Sequence, residues 1–222
     1  MLKTIGFISL WITFIGYAFL FAPPDRADTL DLIINLSTGN WENINPLIIA
    51  LFNLMGILPM IYGCFLLIDG VGQKLPAWAF LAVSFGVGAF AILPYLALRQ
   101  PNPNWNGEKN LLLKIVDSRW LGIILTIGTI ALIYFSLSYG NWTDFSQQWQ
   151  TNRFIHVMSL DFCLLCLLLP VLLKDDLSRR KMDSSWVFWS VTFIPLFGTL
   201  IYLCLRPPLH PDSSSSSLLQ SS

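Results

Sequence analysis

The chain has 222 residues and a formal net charge of zero; 55% of it is hydrophobic, only 12% is charged, and the mean hydropathy is +0.62. A soluble domain carries about a quarter charged residues, so this composition argues against a soluble globular protein and calls for lipid as solvent. No segment combines a basic patch with interleaved aromatics, so no nucleic-acid partner is expected.

The first apolar run, Thr4 to Ala22, ends at Pro23-Pro24, which cannot continue a helix. It is longer than a signal-peptide h-region (about 7–15 residues) and has no small-residue cleavage site, so it reads as a retained span. The polar linker Asp25 to Asn45 contains a short interfacial helix over Thr29 to Leu36. Span two runs from Pro46 to Ile68 and is expected to kink at Pro59. Span three runs from Pro76 to Leu98, where Ser84, Gly88 and Ala91 form a small-residue strip that another helix can approach. In the following loop, Glu108 to Val116 has the apolar spacing of an amphipathic surface helix.

Span four covers Trp120 to Tyr139. The connector Gly140 to Asn152 sets Phe145 and Trp149 on one face of a short surface helix. Span five is Arg153 to Lys174. The charged segment Lys174 to Ser185 after it is expected in water. Span six covers Trp186 to Leu205, and the Ser-rich tail 211–222 is expected to be disordered. The reading is therefore an all-α integral membrane protein, one polytopic domain over 1–210 with about six transmembrane helices and short interfacial helices. No internal repeat is apparent. With six spans, nine Lys and Arg residues fall opposite the termini and four beside them, which places both termini away from the cytoplasm or stroma.

The polar spot lies in span five. Asp161 is eight residues beyond Arg153, about 12 Å into a hydrocarbon core about 30 Å thick. An acid there is expensive and marks a functional-site candidate. Arg153 and His156 share a helix face. His156 and Asp161 are five residues apart, about 140° around the helix, so Asp161 needs a partner elsewhere. Asn53 of span two, at similar depth, is the expected one, with Tyr62, Tyr95 and Tyr202 as further candidates. The candidate binding residues are therefore Asp161, His156, Arg153 and Asn53. No nucleophile, zinc or nucleotide motif is present. Asp175-Asp176 lacks the second set of acids that Mg²⁺-binding prenyl-diphosphate sites carry, and reads as part of a solvated loop. The pair Cys163 and Cys166 sits in a leucine-rich helix and reads as packing.

The pattern His156-Val-Met-Ser-Leu-Asp161, the charged loop with Arg179-Arg180 and the final Pro195-Leu-Phe-Gly198 resemble the end of the ABA-deficient-4-like membrane proteins of plants and cyanobacteria. These are associated with neoxanthin formation in carotenoid metabolism. The stretch FNLMGILPMIYGCFLL, followed by PAWAF and ILPYLALR, resembles multi-pass proteins of oxygenic phototrophs. The resemblance implies a thylakoid or cyanobacterial membrane. The expected partners are the lipid bilayer, a pigment or isoprenoid, and other membrane-protein subunits. The leading expectation is a membrane protein that binds a pigment, isoprenoid or lipid or assists assembly of a complex. A carotenoid- or isoprenoid-modifying enzyme and a small proton-coupled transporter with Asp161 as relay are the alternatives.

Overall fold

The computed structural model describes residues 2–105, 109–182 and 185–209. Glu108, Asp183 and the Ser-rich tail therefore lie outside the described residues. The elements in order are α1 (Leu2–Leu20), α2 (Thr29–Thr38), α3 (Pro46–Asp69), α4 (Ala77–Val87), α5 (Ala89–Leu98), α6 (Leu111–Val116), α7 (Arg119–Tyr139), α8 (Trp142–Thr151), α9 (Arg153–Leu168), α10 (Pro170–Arg179), α11 (Ser185–Phe193) and α12 (Pro195–Leu205). There is no strand among the described residues. Among the described residues, four helical stretches are long and apolar enough to cross a membrane: Leu2–Leu20, Pro46–Asp69, Arg119–Tyr139 and Arg153–Arg179. The last is α9 running into α10 through Leu169, which keeps helical angles (φ −51°, ψ −44°) ahead of Pro170.

The stretches expected as spans three and six are built differently. Each is a pair of short helices folded back on itself. α4 has 11 residues, about 16 Å at 1.5 Å per residue, half the thickness of a hydrocarbon core. It climbs beside α3, where the side chain of Leu81 faces Gly63. It stops at Gly88, whose φ of +53° with ψ −125° is open to glycine and strained for other residues. α5 then returns to the level at which α4 began. Gln73, before α4, and Gln100, after α5, clasp each other: Gln73 Nε2 donates to the Gln100 carbonyl at 2.6 Å and the Gln100 amide donates to Gln73 Oε1 at 3.1 Å. Tyr95 and Arg99 of the returning arm reach Asp69 at the end of α3.

α11 and α12 repeat the design. They meet at Ile194-Pro195, and Gly198 lets the two arms touch: a Cβ there would lie 2.7 Å from the Val191 Cα. The returning arm packs along α7, with Gly122 against Leu203 and Cys204. It ends at Arg206, which reaches Asp176 near the end of α10.

These correspondences expose an internal repeat hidden from inspection of the sequence. Asp69, Tyr95 and Arg99 recur 107 residues later (69 to 176, 95 to 202, 99 to 206), as do Asn45 at Asn152, Phe90 at Phe197, Leu93 at Leu200, and Leu96 and Leu98 at Leu203 and Leu205. The shared arm reads F-x-x-L-x-Y-L-x-L-R-x-P, ending at Pro101 and Pro208. Asn45 and Asn152 do the same work: each side chain accepts the amide hydrogen of the residue two positions on, closing the N-terminus of α3 and of α9. Each half is thus a long helix, a short surface helix, a second long helix and a helical hairpin. α3 contributes more buried residues than any other helix and packs on α4, α7, α9 and α10.

The charged segment expected in water is instead largely inside the protein. α10 continues the helix to Arg179, and Asp176, Arg179 and Arg180 are buried. The short surface helices expected near Thr29, after Glu108 and near Phe145 are present as α2, α6 and α8.

Candidate functional site

The turn at Gly88 leaves the first amide of α5 half-way up α3, far from either end of the bundle. A helix starts with N–H groups that have no partner within it. In an apolar surrounding each such group costs several kcal/mol. Asp161 supplies the acceptor: Ala89 N donates to Asp161 Oδ1 at 2.8 Å, inside the protein. Its acceptor oxygen also lies at the positive end of the α5 dipole, where negative partial charge is favoured. Asp161 sits so close to the turn that a Cβ on Gly88 would be 1.9 Å from Oδ2. Glycine is therefore required at 88 twice, for its backbone angles and for this approach.

The partner expected for Asp161 is corrected here. Asn53 donates to the Ile49 carbonyl of its own helix at 2.8 Å, satisfying its amide locally. The three tyrosines go elsewhere: Tyr62 to the Leu165 carbonyl (2.6 Å), Tyr95 to Asp69 (2.7 Å) and Tyr202 to Asp176 (2.8 Å). The small-residue strip Ser84, Gly88 and Ala91 straddles the hairpin tip, which is where α9 approaches.

His156 and Arg153 hold the end of α1 and the chain after it against α9. The His156 ring pairs with the Tyr17 hydroxyl at 2.8 Å through Nε2 and with the Trp149 carbonyl at 2.9 Å through Nδ1, and it lies against the Trp149 ring (centroids 4.2 Å apart). Both ring nitrogens are thus engaged. Arg153 Nε donates to the Pro23 carbonyl at 3.0 Å and its amide to the Pro24 carbonyl at 3.3 Å. His156 and Asp161 do not form a pair.

Between these contacts lies a half-open cavity of about 560 Å³ with mostly apolar walls. Ala18 and Phe19 of α1, Phe52, Met55 and Gly56 of α3, the hairpin tip from Ser84 to Phe90, and Phe154, Val157 and Met158 of α9 enclose it. Asp161 is at its inner end, and Asp25, Thr29 and Arg153 are at its mouth. It exists because the two halves pack unequally. α3 packs along the length of α7, whereas the equivalent helices α9 and α1 make few contacts beyond Tyr17 and His156. Of the four candidate residues, Asp161 and Arg153 line this space.

A second polar assembly at the opposite end was missed by sequence reasoning. Asp69 accepts from the Tyr95 hydroxyl and from Nε and Nη2 of Arg99, all at 2.7 Å. Asp176 accepts from the Tyr202 hydroxyl at 2.8 Å, Arg180 Nε at 2.9 Å and Arg206 Nη1 at 3.2 Å. Arg179 spans the two, 3.3 Å from Asp69 and 3.6 Å from Asp176. Arg99 also binds Asp175, and Arg180 lies 2.8 Å from Asp117. Burial by itself would raise the Asp117 carboxyl, but Arg180, Lys109 and the Leu209 amide hold it below its ordinary value of 3.8. Four arginines thus meet four aspartates where both hairpins begin and end. The 107-residue recurrence of Asp, Tyr and Arg was the signal that could have revealed this set.

Comparison with known proteins supplies no relative: no family model, no curated protein and no solved structure matches the chain.

Proposed function

We propose that the chain is a multi-pass membrane protein that crosses the bilayer four times, dips into it twice with the α4–α5 and α11–α12 hairpins, and holds an amphiphilic lipid or isoprenoid in the cavity above Asp161. The cavity is the observation that carries this reading. Ligand pockets occupy about 300–1,000 Å³, and this one has mostly apolar walls, polar residues at its mouth and a buried acid, Asp161, in its lining. Half-length helices meeting at mid-depth are tolerated where protein surrounds them or a cavity adjoins them, and the α4–α5 tip adjoins one.

The four-crossing topology is supported by charge. It gathers Lys3, Lys74, Arg99, Lys109, Lys114, Arg119, Lys174, Arg179, Arg180, Lys181 and Arg206 at one end and leaves Arg26 and Arg153 at the other. Eleven against two is a steeper bias than the nine against four of six crossings, and it has the opposite sense. Both termini then face the cytoplasm or stroma. The membrane we assign is a photosynthetic, thylakoid-type one, on the His156 to Asp161 pattern and the Pro195 to Gly198 turn that resemble carotenoid-related membrane proteins. Assisting assembly of other membrane subunits belongs to the same proposal, as a use of the bound lipid or pigment. No observation favours acid–base catalysis or proton transport, since His156 is engaged on both ring nitrogens and Asp161 closes a helix end.

The test is lipid and pigment extraction from full-length protein purified from its native membrane. A stoichiometric lipid or isoprenoid that is lost in Gly56→Phe, a change that fills the cavity from a position with open space around it, supports the reading. An empty wild-type protein refutes it. Topology is tested in a cysteine-free background with Lys74→Cys and Asn104→Cys. Four crossings put both on one side, labelled together by an impermeant maleimide; six crossings put them on opposite sides.

A further inference from the structure

The apolar cavity has a polar neighbour. A second cavity of about 390 Å³ opens beside it at the same end of the molecule, between α2 and α8. The two share one partition. Asp25, Thr29 and Arg153 face the apolar cavity, whereas Arg26, Asp28 and Asn152, interleaved with them in sequence, face the polar one. The partition is held to α9 by the bonds from Arg153 to the carbonyls of Pro23 and Pro24.

The lining of the polar cup says what it can and cannot take. Its charged groups are Arg26, Asp28 and Asp144, two negative against one positive. Arg26 is already gripped through Nε and Nη2 by Asp28, at 3.1 and 3.0 Å. A phosphate entering the cup would face two carboxylates with no uncommitted cation, so an anionic headgroup is disfavoured. A quaternary ammonium would gain from the net negative charge, but such groups are held by aromatic faces, and the cup contains none. The rest of the polar lining is carboxamide and hydroxyl: Asn43, Asn45, Gln147, Gln148, Thr151 and Asn152. Asn45, Gln148 and Asn152 already bond within the protein, so the groups that meet a ligand are Asn43, Gln147 and Thr151, which exchange hydrogen bonds without charge. Asp144 Oδ2 is fixed by Asn45 Nδ2 at 2.7 Å and Gln148 Nε2 at 2.8 Å, which holds the carboxylate in one orientation. Carboxylates and carboxamides set side by side match an array of hydroxyl groups.

The geometry points to an amphiphile with a neutral, polyhydroxylated headgroup: a glycolipid whose chains enter the apolar cavity while its sugar lies in the cup against Asp144 and the carboxamides. This inference rests on the lipid-binding reading above and names the headgroup class.

The experiment measures binding of four lipids with identical acyl chains to the purified full-length protein by native mass spectrometry and by titration. The lipids are a monogalactosyl diacylglycerol, phosphatidylglycerol, phosphatidylcholine and unsubstituted diacylglycerol. The galactolipid is expected to bind about tenfold more tightly than the other three, the equivalent of one or two net hydrogen bonds. The double change Gln147→Leu with Thr151→Val, at exposed cup positions, is expected to remove that preference and leave diacylglycerol binding unchanged. Gly56→Phe, or Val157→Phe as an independent block from α9, is expected to abolish binding of all four while the protein stays monodisperse. Equal affinities for all four lipids, or tightest binding of phosphatidylglycerol or phosphatidylcholine, with sensitivity to the cavity block retained, would overturn the headgroup assignment and leave the cavity reading standing. No lipid binding, or binding indifferent to both blocking changes, would overturn the two together.

Discussion

In the first half of the molecule the hairpin turns at Gly88-Ala89; in the second it turns at Ile194-Pro195. The two turns face the same problem, a helix that begins far from either end of the bundle, and solve it by different chemistry. Proline at the first helical position has no N–H to satisfy and arrives with helical φ, so α12 begins with one donor fewer. Ala89 has an N–H, and its acceptor comes from the other half of the chain, at Asp161. The position equivalent to Asp161 in the first half is Leu54, 107 residues earlier. An acid in an apolar helix, read alone, looks like a reactive group. Set against its counterpart, it is the consequence of a turn built with glycine where the other is built with proline. The same half leaves α1 standing off from α9, so the cavity lies on that side. The frame is duplicated; the tip and the packing around it are not.

The charged end is where the halves are most alike, and the comparison can be broken there first. Asp69 and Asp176 are both fully buried, each meeting a tyrosine and several arginine nitrogens. Removing one partner of a buried ion pair strands the others, at a cost of about 3–5 kcal/mol. Asp69→Ala and Asp176→Ala are therefore each expected to destabilise the protein by that amount, read as loss of folded protein in detergent thermal-unfolding curves. A loss confined to one of them would show that the repeat is preserved in sequence but not in energetics. Removing the equivalent hydroxyls tests the same symmetry more gently. Tyr95→Phe and Tyr202→Phe each delete a hydrogen bond to a carboxylate, worth about 1.5–3 kcal/mol, and the two melting-temperature shifts should match.

The tips should respond unequally. Asp161→Leu leaves the Ala89 amide without its acceptor and is expected to cost about 1–3 kcal/mol. Asp161→Asn keeps a carbonyl oxygen in place and should cost less than half as much. If Leu and Asn behave alike in unfolding curves, the helix-closing role is wrong. In the second half Pro195→Ala creates the donor that proline avoids, and is expected to destabilise through that new unpaired group. The smallest effect is a pH dependence outside the long apolar helices. Asp117 has its carboxyl held below the ordinary value by Arg180 and Lys109. Its contribution is therefore fully present above the unfolded-state value near 3.8 and is lost as the pH falls through the lower folded-state value. In Asp117→Asn, the part of the acid destabilisation that begins below about pH 4 should shrink relative to wild type.

Several parts of this architecture were legible one residue at a time. The four long apolar helices follow from run length, and α2, α6 and α8 from short amphipathic patterns between polar linkers. The position of Asp161 marked a place where two elements meet. Its partner was not legible, because the acceptor serves a backbone amide, and every residue has one. Asn53 had the right depth and chemistry, but a helical asparagine can satisfy itself on the carbonyl four residues back. The segment Lys174 to Arg180 looked solvated because charges are usually exposed; Asp176, Arg179 and Arg180 are buried because Asp69, Asp117, Arg99 and Arg206 arrive from four separate parts of the chain to balance the segment.

Composition and hydropathy by themselves determined that this chain is helical, that its long helices suit a lipid surrounding and that one acid lies deep within α9, because these depend on side-chain transfer energies and on the 3.6-residue period. Whether an apolar stretch of about twenty residues passes straight through or turns back was decided by tertiary contacts. A hairpin needs its tip donors satisfied and its two ends joined. Asp161 supplies the first for α4–α5, and Pro195 lessens that need for α11–α12. The buried cluster of arginines and aspartates, drawn from both halves, supplies the second.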